Sequence, residues 1–457
     1  MLLIEDTRAT VVGLGKSGLA AIELLTAKGA RVRATDEREA AAQSLQGVAF
    51  RPQSQETFED CDLIVLSPGV PADLQSVESA RERGVKVIGE VELAWHFLEG
   101  NIIGVTGSNG KTTTTALIGH ILRESGIPAQ VGGNIGTPPT AMVQSSRKDQ
   151  WNVLELSSFQ LETVDAFQAH VGVCMNVTPD HLDRHHTIEN YAKAKARLFE
   201  SLSGDGLAVL NADDPTCVCY ALRTPARTEW FSSLRSINPG LCLDGDVILI
   251  DGEVLMPVAE VPLRGMHNLE NVMAAAAVAR FAGADIGSIR AAVKSFPGVE
   301  HRLEFVRRIG GVDYFNDSKA TNVDAALKAV GAFEHGLWII LGGKDKGSSY
   351  TPLRLPLARK ARAALLIGAA AEKIASELEG AVPLIRCGSI ENAVEIARAR
   401  ASCGDTVLLA PACASFDQFQ NYEHRGKVFK SLVMAFVPSQ YGEGVISEEE
   451  ETHGAKS

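Results

Sequence analysis

Apolar residues fall along this chain in two alternating patterns. Short unbroken runs such as Leu63-Ile-Val-Leu66, Val171-Gly-Val-Cys-Met175, Leu337-Trp-Ile-Ile-Leu341 and Thr406-Val-Leu-Leu409 each give way to glycine, proline or polar residues. A strand that is apolar on both faces is buried on both, as in a parallel sheet covered by helices. Between these runs, apolar positions recur at intervals of three and four, the period of a helix lying on such a sheet. Ile188, Tyr191, Ala192, Leu198, Phe199 and Leu202 make one such face, and Lys195 falls on it. The alternation predicts an α/β fold.

Three stretches carry the pattern. Residues 1–98 open with Ala9-Thr-Val-Val12 entering Gly13-Leu-Gly15-Lys-Ser-Gly18, then a helical stretch and a second strand ending at Asp36. This is a βαβ unit with the glycine spacing of a dinucleotide fingerprint. A plainer reading is that its glycines only let helix and strand pack closely. Ser67-Pro-Gly69 closes the next strand and belongs, by the crevice rule, near the same ligand. Residues 99–300 form a central domain, in which residues 223–263 read as a small β excursion without chemistry. Residues 301–440 again alternate strand and helix. Residues 441–457, with Glu448-Glu-Glu-Glu451, lack apolar periodicity and read as a frayed acidic tail.

The central stretch holds the most specific motif. Ile102, Ile103 and Val105 lead into Gly104, Gly107 and Gly110, followed by Lys111 and the threonines Thr112 and Thr113 at the start of a periodic segment. Strand, glycine loop and helix in that order form a phosphate cradle: backbone N–H groups converge at a helix N-terminus, Lys111 adds a full charge, and Thr112 offers a hydroxyl to Mg²⁺. The interval between Gly104 and Gly110 is one residue longer than the common form of the motif.

Composition narrows the setting. With 457 residues, 45% of them hydrophobic, and no apolar run of the ~18 that a membrane helix needs, the chain reads as a soluble multidomain protein. A net charge of −12 argues against nucleic acid as a partner. The eight cysteines show no metal-knuckle spacing and read as reduced core residues of a cytoplasmic protein. The N-terminus lacks the basic and apolar regions of a secretory signal.

Further candidate chemistry sits at strand ends. Glu155 follows an apolar strand beside Ser157 and Ser158, and His181 lies between Asp180 and Asp183 after the next. Hard oxygen ligands with one imidazole suit Mg²⁺, while Asp180, His181, Asp183, His185 and His186 could alternatively form a zinc cluster. Lys195, if held in an apolar site, has a lowered pKa and a nucleophilic amine able to take up CO₂ as a carbamate. On the bland reading it snorkels to solvent. In the last stretch, Asn316-Asp-Ser-Lys319-Ala-Thr321-Asn and Ala412-Cys-Ala-Ser415 through Tyr422-Glu-His-Arg-Gly426 place hydroxyls and cations where a small anion would bind.

Together with Glu155-Leu-Ser-Ser-Phe-Gln160, Asn176-Val-Thr-Pro-Asp-His181, His267-Asn-Leu-Glu-Asn271, His301-Arg302 and Leu341-Gly-Gly-Lys-Asp-Lys346, these blocks resemble the Mur ligase family from about residue 8 to residue 435. The Ser-Lys-Ala-Thr-Asn and Ala-Cys-Ala-Ser blocks are similar to those of its D-glutamate-adding member. The resemblance implies a Rossmann-like N-terminal domain for a UDP-sugar, a central P-loop ATPase domain and a Rossmann-like C-terminal domain for the amino acid. It implies a monomeric enzyme using ATP and Mg²⁺, with UDP-N-acetylmuramoyl-L-alanine and D-glutamate as substrates. Gly107, Asn109, Gly110, Lys111, Thr112, Thr113, Asn271, Arg302 and Asp317 would then serve ATP. Thr112, Glu155, His181 and carbamylated Lys195 would serve the metals. Leu14, Asp36, Arg38, Gly69, Asn134, Ser157 and Gln160 would contact the UDP substrate, and Lys319, Thr321, Lys346, Ser415 and Tyr422 the amino acid. Lys111, His181, Lys195 and Lys319 would be catalytic.

Overall fold

A computed structural model describes residues 2–45 and 47–436. The acidic stretch expected at 441–457 lies outside the described residues. The fold is α/β throughout, built on three sheets. By its internal contacts the chain divides into two compact units. One comprises Met1–Arg302 with Leu327–Phe333, and the other Leu303–Ala326 with the chain from Glu334 onward.

The first unit holds two sheets. Strands β1 (Arg8–Val12), β2 (Arg31–Thr35), β3 (Ala49–Phe50), β4 (Leu63–Leu66) and β5 (Lys86–Gly89) pair in parallel in the order β3-β2-β1-β4-β5. Chain order reverses direction at β1, so the crevice past its carboxyl end is a ready ligand site. The second sheet contains β6 (Asn101–Thr106), β7 (Ala129–Gly133), β8 (Trp151–Glu155), β9 (Val171–Cys174), β10 (Leu207–Asn211), β11 (Arg227–Ser232), β12 (Leu241–Asp244), β13 (Val247–Ile250) and β14 (Glu253–Pro257). Their order is β14-β13-β12-β11-β10-β9-β6-β8-β7. The reversal here falls between β6 and β9. The expected β excursion is no appendage: β11 to β14 continue the central sheet, turning antiparallel only from β12 onward.

The two sheets are joined by the short helix Glu90–Trp95. Glu90 Oε1 accepts from both the N–H and the hydroxyl of Thr140, each at 2.7 Å. Glu92, fully buried, accepts from the backbone N–H groups of Asp165, Ala166 and Phe167 at 2.8, 3.0 and 2.9 Å. Gly89 passes so close to Thr163 that an added Cβ would lie 2.0 Å from Thr163 Oγ1.

The second unit carries β15 (Glu304–Ile309), β16 (Val312–Asn316), β17 (Leu337–Gly342), β18 (Ala361–Ile367), β19 (Leu384–Gly388) and β20 (Thr406–Leu409), ordered β15-β16-β20-β17-β18-β19. Only β15 is antiparallel. Of the cysteines, Cys219 and Cys403 are exposed rather than in a core, because they sit in a short surface helix and a turn instead of in strands.

Candidate active site

The phosphate loop follows β6 and ends where the helix Lys111–Glu124 begins. Gly107 and Gly110 hold φ values of +137° and +89°, a backbone that other residues rarely adopt. Gly104 is not part of the loop. It lies within β6, where a Cβ would come within 2.7 Å of Leu198 Cδ1, so its role is to admit the helix Ile188–Glu200 against the strand. That packing explains the long glycine interval and brings Lys195, on the same helix face, under the loop.

Asn176 grips the loop from the end of β9: its Oδ1 accepts from Asn109 N–H at 2.9 Å and its carbonyl from Ser108 N–H at 2.8 Å. Lys111 folds back on its own loop, with Nζ donating to the carbonyls of Gly107 and Ser108 at 2.8 and 2.9 Å. Burial, with the neighbouring Lys195 charge behind it, lowers its pKa. Thr113 is buried. Asn271 is too, at 2% exposure, accepting from Thr114 Oγ1 at 3.1 Å and supporting the loop from behind at Gly110.

A line of oxygen groups runs beside the loop. Thr112 Oγ1 donates to Glu155 Oε2 at 2.7 Å, and Asn134 Nδ2 donates to Glu155 Oε1 at 2.9 Å. Arg302 Nη2 reaches Thr112 Oγ1 at 3.3 Å. Glu155 is 1% exposed, and a buried carboxylate facing a hydroxyl is a hard-oxygen donor set of the kind Mg²⁺ takes. Lys195 is equally buried and does not snorkel: its Nζ donates to Gly107 O at 2.9 Å and Thr106 Oγ1 at 3.3 Å, 4.5 Å from the Tyr191 ring centroid. Burial pushes its pKa down to about 8.

His181 stands at φ +53° before the helix Leu182–His185, 38% exposed, its ring centroid 4.9 Å from that of Phe159. The zinc alternative does not form among the described residues, because His185 has both ring nitrogens engaged, Nδ1 with Glu162 at 3.0 Å and Nε2 with Ser158 at 2.9 Å. Ser157 and Gln160 make a capping box for the helix Ser158–Leu161, which ties Gln160, 2% exposed, to its own backbone.

In the N-terminal sheet, Asp36 fills the mouth of the first glycine loop. Its Oδ2 accepts from Leu14 N–H at 2.7 Å and its Oδ1 from Arg38 N–H at 2.9 Å. Partial burial opposes ionisation, yet these donors and the Arg38 guanidinium outweigh it and hold the pKa low. Gly18 is a packing glycine, since a Cβ there would sit 1.8 Å from Gly13 O, while Gly15 faces open space. An open groove of about 660 Å³ runs past Asp36 and Glu37 to Leu74 and Ser79, and Gly69 is exposed.

The second unit gathers its candidates at the carboxyl ends of β16, β20 and β17. Ala412 N–H donates to Ala320 O at 2.9 Å and Lys344 pairs with Ala414, tying the three strand-end loops together. Lys319 Nζ lies 3.8 Å from the Tyr422 ring centroid. Asp317 and Ser415 are buried, Thr321 is half-buried and Lys346 is exposed. Arg425 lies within the stretch that the sequence marks out, but its own role is not readable there. Fully buried, it donates to Ser318 Oγ and O at 3.0 and 2.8 Å and to Cys413 O at 3.2 Å, pinning the loops that carry Lys319 and Ser415. Burial lowers its pKa to about 10. No local signal marks its burial, because the groups that enclose it come from other strand-end loops.

Fold and site together define a multidomain α/β protein with a phosphate-binding loop beside a buried carboxylate and a buried lysine. The chain belongs to the Mur ligase family: the N-terminal domain model of the MurD-like type matches residues 7–89, the Mur ligase middle domain residues 105–279, and the Mur ligase glutamate ligase domain residues 301–413. It is similar, at 59% identity over 95% of this chain and 99% of the other, to the UDP-N-acetylmuramoylalanine–D-glutamate ligase of Solibacter usitatus. The Acidobacterium capsulatum protein of the same name is 51% identical over 94% and 97% of the two chains. Among solved structures, UDP-N-acetylmuramate-alanine ligase from Thermotoga maritima shares the fold with a TM-score of 0.61 at 18% identity, covering 94% of this chain and 99% of that one.

Proposed function

We propose that this chain is an ATP-dependent ligase that joins D-glutamate to UDP-N-acetylmuramoyl-L-alanine through an acyl phosphate, in cytoplasmic peptidoglycan precursor synthesis. The observation that carries the reading is the 2.7 Å contact of Thr112 with buried Glu155 at the mouth of the phosphate loop. The similarity to D-glutamate ligases along nearly the whole chain supports the choice of acceptor. Residues 1–98 serve the UDP-linked donor, 99–300 ATP, and 301–440 the amino acid.

ATP lies on the loop with Lys111, whose Nζ leaves the carbonyls of Gly107 and Ser108 for the phosphates. Thr112, Glu155, His181 and Lys195 suit Mg²⁺, which neutralises charge on the transferring phosphoryl group when bound. Lys195 fits that role as a carbamate, because a buried amine with a pKa near 8 holds far more of its neutral, CO₂-reactive form near neutral pH than an ordinary lysine does. Arg302, beside Thr112, faces the same phosphates. Leu14, Asp36, Arg38 and Gly69 line the donor side. Lys319, Thr321, Lys346 and Ser415 offer two cations and two hydroxyls to the two carboxylates of the acceptor, with Tyr422 beside Lys319.

An acceptor panel tests the proposal. With UDP-N-acetylmuramoyl-L-alanine and ATP, phosphate release is expected with D-glutamate and not with lysine or D-alanyl-D-alanine. Equal turnover of a cationic amino acid overturns it.

A further inference from the structure

Arg184 belongs to the short helix that follows His181, yet its side chain reaches the N-terminal sheet. Its Nη2 donates to Val70 O at 3.0 Å and to Glu162 Oε2 at 3.1 Å. Val70 closes the turn after β4, with its N–H on Ser67 O, and packs over the first glycine loop, where a Cβ on Gly13 would lie 2.7 Å from Val70 Cγ2. The guanidinium therefore bridges the loop at 67–70 and the segment that bears His181.

Glu162 is the junction. One carboxylate oxygen takes Arg184 and the other faces His185 Nδ1 at 3.0 Å, so neither partner can shift without disturbing the other. His185 continues the line to Ser158 Oγ at 2.9 Å. Measured to its ring centroid, Phe159 receives the His185 ring stacked at 5.3 Å, the Arg184 guanidinium at 4.7 Å and the steeply inclined His181 ring at 4.9 Å. The three polar groups are mostly sheltered, with side-chain exposures of 17% for Arg184, 23% for Glu162 and 2% for His185. A charge-assisted hydrogen bond in such a place holds its partners more firmly than one at the surface.

We propose that Arg184, Glu162 and His185 act as a positioning relay that sets His181 and Phe159 according to the engagement of the 67–70 loop by the UDP-linked donor. The relay rests on the reading that this loop faces the donor and His181 the reacting groups. It touches the phosphate loop only at one remove, through the His185 ring 5.2 Å from that of Tyr191, whose hydroxyl meets Ser108 Oγ at 3.1 Å, so its larger effect should fall on the response to donor.

Glu162→Gln and Arg184→Met, singly and together, test it by steady-state kinetics, with Arg184→Lys as the variant that keeps charge on a shorter side chain. Each single change is expected to raise the donor KM about tenfold and lower kcat. The ATP KM should stay within about twofold, and the double variant should be no worse than the worse single one. Arg184→Lys should fall between wild type and Arg184→Met. Equal rises in donor and ATP KM, or a lowered Tm with an unchanged donor KM, would overturn the relay and leave a structural clasp. If the wild type binds donor but shows no D-glutamate-dependent turnover, the acceptor reading fails alone. The relay is then decided by the donor Kd of the same variants, expected to rise by the same factor.

Discussion

The first unit contains two glycine loops of the same local design, each leaving a parallel strand at a reversal of strand order and entering a helix. They differ in what occupies them. At the first, Asp36 places a carboxylate against the N–H of Leu14, so the loop presents its donors already partnered by an anionic side chain. At the second, Lys111 and Lys195 both donate to the carbonyl of Gly107, and the N–H groups are held from outside by Asn176. One loop carries a fixed negative charge and the other two cations. Backbone shape makes a cradle, and the neighbouring side chains decide what it can hold.

The largest way to break this contrast is to remove the lysine beneath the second loop. Lys195→Ala should lower ATP-dependent phosphate release about 10³-fold with little loss of fold, since it removes the carbamate proposed to hold a metal at the transferring phosphoryl group. Excess short carboxylic acid should restore part of the rate. Lys195→Arg, which keeps charge but cannot form a carbamate, should stay inactive, and full activity there would make the lysine a plain cation.

The glycines of the first loop sharpen the contrast. Gly18→Ala would force a Cβ to 1.8 Å from Gly13 O and should cost about 3 kcal/mol in denaturant unfolding. Gly15 has φ −74° and open space around it, so Gly15→Ala should stay within about 0.5 kcal/mol of wild type. Similar costs at both positions would mean that the spacing reflects packing alone.

The smallest effect concerns the seam that keeps the two loops in one unit. Glu90 is buried, its Oε2 has no hydrogen-bond partner, and burial raises its pKa to about 7 despite the two bonds from Thr140. A carboxyl with a raised folded-state pKa holds its proton where the unfolded chain has lost it. Stability should therefore fall as pH rises, by about 2 kcal/mol between pH 5 and 7. Glu90→Gln should flatten that slope in urea midpoints measured across the range, and an unchanged slope would assign the titration elsewhere.

Much of this architecture was legible because it is local. Apolar runs closing in glycine marked the strands and their functional ends, and the spacing from Tyr191 to Leu202 put Lys195 on a buried face before any coordinate was known. What escaped depends on distant partners. Gly104 reads as a loop glycine until Leu198 is seen against it. Glu92 looks like an ordinary helix acid, and the N–H groups that donate to it lie more than seventy residues away. Arg425 reads as one more basic group of a candidate stretch, because nothing local reveals that Ser318 and Cys413 close over it. The Ser157 and Gln160 pair is the opposite case: its capping box is local and visible in sequence, a structural role beside the ligand contacts that the resemblance implies.

The three N–H groups that converge on Glu92 bear on how this chain can be cut. Residues 1–98 look like a detachable module by sequence, with their own sheet and glycine loop. A fragment starting at Asn101 would nevertheless expose a turn, Asp165 to Phe167, whose amides have lost their common acceptor. The excised piece would carry Glu92 with no backbone to receive it. The N-terminal sheet is thus a graft whose stump is built into its host, and exchange between relatives would succeed only where the splice carries Glu92 and its turn across together.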